Sequence, residues 1–158
     1  MFYAVLKTIH LLSIIVWIGG MVFVHFFLRP AVAQLEAPQR LRLMHEVLGR
    51  FFNAVLVAAG LAVGTGVWMI GRMARQMVQA GVKFNMPVEW MVMSVLGLVM
   101  ALIFGYIRFV LYKRLTRAVT SGAWPAGAAA LASIRTWVTV NLFIGVLIVV
   151  ITLIGVSS

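Results

Sequence analysis

Residues 8–28 read TIHLLSIIVWIGGMVFVHFFL, 21 residues without a formal charge, and the run stops on Arg29-Pro30. A helix that crosses a bilayer needs roughly 20 predominantly apolar residues. Three further uncharged runs have similar length: 51–71 with 21 residues, 90–107 with 18 and 136–158 with 23. The whole chain is 64% hydrophobic and 10% charged, outside the range of soluble domains. These runs predict an all-α, four-transmembrane-helix bundle with spans at about 3–28, 51–71, 89–112 and 134–157. Spans and turns use nearly all of residues 1–158, so a single membrane domain is expected.

Punctuation outside the runs sharpens the boundaries. Pro30 is expected to end helix 1 near Leu28, because proline has no N–H and clashes with the preceding turn. Helix 2 is expected to start near Pro38 in an amphipathic stretch and to enter the membrane around Phe51. Within it Gly60 and Gly64 form a small-xxx-small pattern, expected to pack against a neighbouring helix. Asn85 is expected to cap helix 3, with Pro87 in its first turn. Ala31-Val32-Ala33 imitates a signal-peptidase site, but 21 uncharged residues exceed the 7–15 of a signal h-region, so the first helix is expected to stay.

Cytoplasmic loops retain Lys and Arg during insertion. The first and third loops with their helix ends hold Arg29, Arg40, Arg42, Arg50, Arg108, Lys113, Arg114, Arg117 and Arg135, nine in all; the other side holds Lys7, Arg72, Arg75 and Lys83. Both termini are therefore expected on the outer, periplasmic side of a bacterial inner membrane. The formal charge of +10 falls at helix ends, where it meets anionic lipids of the cytoplasmic face and not nucleic acid. There is no cysteine and no aspartate, and Glu36, Glu46 and Glu89 are the only acids. Thiolate ligation, cysteine nucleophiles and paired-carboxylate catalysis have no material.

Chemistry must then rest on histidine and methionine. At roughly 1.5 Å per residue His10 lies about 10 Å inside helix 1, on one face with Ser13, Trp17 and Gly20. An imidazole at that depth is expensive unless it is used. His25 and His45 flank the first turn and are candidates for a bis-histidine site, with Arg50, Asn53, Arg108, Arg135 and Asn141 toward the same end. Met69, Met73, Met77, Met91 and Met93 fall toward the outer side, and the first three recur every fourth residue, aligning if the helix runs past Gly71. Thioethers and imidazole suit Cu(I); methionine is also an apolar filler.

The segment from Ile9 through His10, Trp17, Gly19 and Gly20 to Leu28-Arg29-Pro30 resembles the first helix of the CopD copper-resistance membrane family, above all in His-x6-Trp-x-Gly-Gly before a proline-terminated helix. Gly60–Gly64 and Trp90 are similar in placement. The resemblance implies copper uptake, transport or homeostasis, with His10, Met69, Met73, Met77, Met91 and Met93 receiving Cu(I), and a periplasmic copper carrier as partner. The same helix also resembles the HemJ-type protoporphyrinogen oxidases, which implies haem b on His10. That family's lysine and histidine in helix 3 are missing, since Trp90 is followed by Met91-Val92-Met93-Ser94 and the later stretch reads Phe104-Gly105-Tyr106-Ile107-Arg108.

Three functions thus fit the residues. A copper-handling membrane protein, more a binder or transporter than an enzyme, uses the most features. A b-type haem protein, an oxidoreductase, uses His10 with Met91 or Met93, or His25 with His45. A non-catalytic subunit or assembly factor, self-associating or held in a larger complex, uses only the packing surfaces.

Overall fold

A computed structural model describes residues 1–83 and 85–157, with side chains as far as Ile154. Four helices follow one another: α1 Phe2–Val32, α2 Ala37–Gln79, α3 Val88–Thr120 and α4 Trp124–Ser157. No strand occurs among the described residues. All four are long and apolar enough to cross a membrane. Their outward faces stay apolar, as at Phe27, Trp68, Leu102 and Phe143, so hydrocarbon and not water suits the exterior.

The α1–α2 and α3–α4 turns lie at one end of the bundle, which carries the nine basic residues counted above; the termini and the α2–α3 loop lie at the other. Two of the turns are closed by the same device. At the end of α2, Gly81 at φ +70° lets Val82 N–H reach Met77 O at 3.0 Å and Gly81 N–H reach Val78 O at 3.1 Å. At the end of α3, Gly122 at φ +68° lets Ala123 N–H reach Ala118 O at 2.9 Å. These are Schellman closures, and the left-handed backbone explains glycine at both.

Pro30 does not end α1 at Leu28. The helix continues to Val32 through a π-helical turn at Val24–Leu28, where Arg29 N–H bonds Val24 O five residues back. The wider turn gives the proline ring room against the carbonyl four residues earlier, so the expected stop becomes a local widening. A second π turn, Ile107–Leu111, interrupts α3, with Tyr112 N–H on Ile107 O. α2 starts at Ala37 with Pro38 in its first turn, close to the expected start, and its 43 residues carry it past Gly71 to Gln79, beyond the expected membrane span of 51–71. At the start of α3, Pro87 occupies the cap position, with no side-chain cap, so Asn85 does not play the part expected of it.

The core gathers in the half of the bundle toward the turns. Leu41, Leu48, Phe52 and Val55 of α2 meet Ile107, Leu111 and Leu115 of α3, Ile134 and Val138 of α4, and Trp17 and Met21 of α1. Toward the termini burial thins: α3 has no buried residue before Met100, and at that end Ser13, Ala62, Thr65 and Met69 are the buried residues of α1 and α2.

Close approach of helices depends on glycines other than those expected. A Cβ at Gly60 or Gly64 meets nothing within 4 Å; both face outward. Gly20 instead admits the Phe51 ring, Gly49 admits the Tyr112 hydroxyl, and Gly145 faces Ile18 and Met100. A Cβ at Gly145 would lie 3.1 Å from Ile18 Cδ1 and 3.2 Å from Met100 Cε. Gly145→Leu is therefore expected to cost about 1–3 kcal/mol by overpacking, while the Gly60→Ala, Gly64→Ala double variant leaves the unfolding midpoint in detergent at or above that of the unaltered protein. Equal loss in both variants would show that the outward pair also carries packing.

Candidate metal centre

Each histidine turns toward a different helix. His10 Nδ1 lies 2.9 Å from Ala62 O and 3.0 Å from Thr65 Oγ1. A carbonyl oxygen only accepts, so Nδ1 carries the proton and Nε2 holds the lone pair. The Thr65 hydroxyl hydrogen is already directed to Leu61 O at 2.6 Å, which leaves its oxygen free to share the Nδ1 proton. Gly66 completes the cradle, because a Cβ there would sit 3.5 Å from His10 Cε1. His10 Nε2 is buried and has no hydrogen-bond partner. A ring nitrogen fixed by a backbone carbonyl, with the opposite nitrogen unprotonated and unengaged, is the arrangement that orients an imidazole for a metal.

Above this cradle the same face of α2 carries sulfur. Ala62, Thr65 and Met69 are buried and Met73 and Met77 are partly buried. α2 runs unbroken past Gly71 to Gln79, so the three methionines stack one turn apart, from the turn next to Thr65 toward the end of the helix. Met91 is 51% exposed and Met93 partly buried on α3, and neither belongs to the core.

The other two histidines are engaged elsewhere and do not meet. His25 Nδ1 lies 3.3 Å from Thr139 Oγ1 on α4. His45 Nε2 lies 2.9 Å from Thr116 Oγ1 on α3, and its ring stacks on Tyr112 with centroids 5.1 Å apart and planes 3° from parallel. Tyr112 in turn donates its hydroxyl to His45 O at 3.0 Å. Arg108 closes the cluster, with Nη2 donating to Asn53 Oδ1 at 3.0 Å and its guanidinium 5.2 Å from the Tyr112 ring. Arg50 pairs with Glu46. Asn141, expected toward the same end, is 1% exposed in the core with both amide atoms unpartnered.

Between the two ends an aromatic column closes the bundle. Trp17 meets Phe104 at 5.9 Å, Phe104 meets Phe52 at 6.0 Å, and Phe52 meets Tyr112 at 5.5 Å between centroids. Met21 and Met100 are buried beside this column, and Met44 is buried nearer the turns. Met21 and Met100, with Thr65 and Tyr112, had no place in the sequence-based site. Thr65-Gly66 inside an otherwise apolar span was the available signal for the His10 cradle.

Among the described residues no group of three His, Asp or Glu side chains converges. The donors on this face, one imidazole and the thioethers of α2, are soft and uncharged, a set whose chemistry suits Cu(I) and not hard cations.

A family model described as "Copper resistance protein D" matches residues 45–154 of the chain, well over half of it. The match spans nearly all of α2 and α3 and most of α4, with the methionine stripe; His10 and His25 lie before it. No curated protein and no solved structure matches.

The hydroxyl of Tyr112 tests the lower cluster separately from the upper one. Tyr112→Phe keeps the ring stack and removes one hydrogen bond to a backbone carbonyl, so it is expected to lower stability in detergent by about 1 kcal/mol while leaving the Cu(I) titration of the same preparation the same as that of the unaltered protein.

Proposed function

The chain belongs to the copper resistance protein D family and is a multi-pass membrane protein, and from that premise we propose that it carries Cu(I) across the bacterial inner membrane, receiving it from a periplasmic carrier at the termini end. The observation that supports this best is the buried, unpartnered His10 Nε2, aimed by Ala62 and Thr65, at the lower end of a face lined by Met69, Met73 and Met77. Cu(I) is the cargo, and each residue's part follows from its donor. Thioethers at the mouth exchange a soft monovalent ion without fixing it, because they are neutral and weakly basic. The imidazole then binds it more tightly at the edge of the packed core.

Further inward only sulfur and one imidazole offer themselves. Met100 and Met21 flank the aromatic column, and Met44 with His25 lies beyond it toward the turns. In this proposal Trp17, Phe52 and Phe104 block water and hydrated ions, while adjacent thioethers give a dehydrated Cu(I) successive stations. Arg72, Arg75 and Lys83 at the entry repel free hydrated cations, so delivery by a carrier supports selectivity better than diffusion does.

The test is binding and uptake by purified protein. His10→Gln keeps a hydrogen-bonding amide and should insert normally, because interhelical hydrogen bonds in membranes are worth on the order of 1 kcal/mol, yet it should lose most Cu(I) binding. His25→Gln should do less. Thr65→Val, which leaves Ala62 O to orient the ring, should weaken binding roughly tenfold. Replacing Met69, Met73 and Met77 together by Leu keeps apolar volume and should slow copper entry into proteoliposomes; unaltered entry would assign the stripe to packing. Full copper occupancy in His10→Gln would remove the central claim.

The proposed orientation rests on the excess of Lys and Arg at the turn end. Alkaline phosphatase fused to the C-terminus should be active and a fluorescent protein there dark. The opposite pair of results inverts the transport direction argued above.

A further inference from the structure

A cavity of about 300 Å³ opens at the turn end between α1, α2 and α4. Arg29, Arg40 and Arg135 converge on it, His25 lines it, and Val24 and Val138 form part of its wall. No carboxylate lines it. The guanidiniums of Arg29 and Arg135 have no hydrogen-bond or ion-pair partner among the described residues, and their like charges act on one another across the gap. Arg40 reaches only Ala33 O at 3.5 Å. Three guanidiniums around one cavity that no carboxylate lines repel one another, and guanidinium forks match phosphate oxygens in geometry.

Position along the chain says what anion this is. Arg29 is the first charge after the uncharged run 8–28, and Arg135 the last before 136–158. Both therefore sit where hydrocarbon gives way to headgroups, the depth of a lipid phosphate. The wall continues from the arginines onto Val24, Val138 and Ile134, apolar surface for an acyl chain. We propose that this cavity is a specific site for one anionic phospholipid, its phosphate clamped by Arg29, Arg40 and Arg135 and a chain lying along the α1–α4 groove. The clamp uses neither His10 nor the Met69, Met73 and Met77 stripe, although the cavity shares Met44 and His25 with the inner end of the proposed copper route.

Native mass spectrometry of the full chain in detergent, titrated with dioleoylphosphatidylglycerol, tests this. The unaltered protein should retain one lipid. Arg29→Gln with Arg135→Gln should weaken retention at least tenfold, and Arg40→Gln alone by a smaller factor; this single rim change keeps the test open should the double variant not fold. Arg114→Gln with Arg117→Gln, which removes the same charge from exposed positions outside the cavity, should retain the lipid. Equal retention of dioleoylphosphatidylcholine, equal loss in the Arg114, Arg117 variant, or displacement of the lipid by inorganic phosphate alone would each overturn the proposal.

Discussion

Hydrocarbon offers no hydrogen bond, and the disposition of every polar side chain along these helices follows from that constraint. Hydroxyls turn back on their own helix: Thr8 to Ala4 O, Ser13 to Ile9 O, Ser94 to Trp90 O and Thr116 to Tyr112 O. Such bonds cost nothing in tertiary structure. Imidazoles cannot do this, so each histidine crosses to a neighbour and in doing so fixes a helix pair: His10 joins α1 to α2, His25 joins α1 to α4, and His45 joins α2 to α3. Among the described residues the buried side-chain atoms left unpartnered are Arg108 Nε, Thr152 Oγ1, both amide atoms of Asn141 and His10 Nε2, and of these only His10 Nε2 is a nitrogen with an available lone pair.

The four helices were legible because charge spacing in a membrane chain is nearly a map of its spans. Runs 8–28, 51–71 and 90–107, and 136–158 as far as it is described, each fall inside one helix. What charge spacing does not encode is rotation about the helix axis. The Gly60–Gly64 pattern is real, but its face points outward, and the glycines that admit neighbours are isolated ones such as Gly20 and Gly145. Likewise the cue at Pro30 was a statement about α-helical geometry, and a π turn evades it.

Depth and face together decided how much of the site could be read. His10 was recognisable from depth alone, and the Met69, Met73 and Met77 stripe from period four. Ala62 could not be, since its contribution is a backbone carbonyl, which no side-chain pattern reveals. His25 and His45 were close in sequence and at one level, yet they lie on faces turned to different helices; adjacency along a turn does not imply adjacency in space. The family match over residues 45–154 rests on the three later helices, whereas the likeness read from residues lay chiefly in the first, so the two reach the same family from different parts of the chain.

The paired π turns, Val24–Leu28 in α1 and Ile107–Leu111 in α3, have a consequence for how such a sequence tolerates change in length. A π turn takes up roughly one residue more than an α turn, so beyond it the helix is rotated relative to where uninterrupted α geometry would put it. Val32 after the first turn, and Leu115 and Ala118 after the second, are buried in that shifted phase. Losing a single residue inside either segment would let it close to ordinary α geometry with the downstream face still on the core, whereas losing one from the α-helical stretch beside it would turn Val32 or Leu115 by about 100° away from its neighbours. Single-residue deletions in descendants of this chain should therefore collect in the connection between α2 and α3 and in these two turns, and avoid the α-helical stretches beside them.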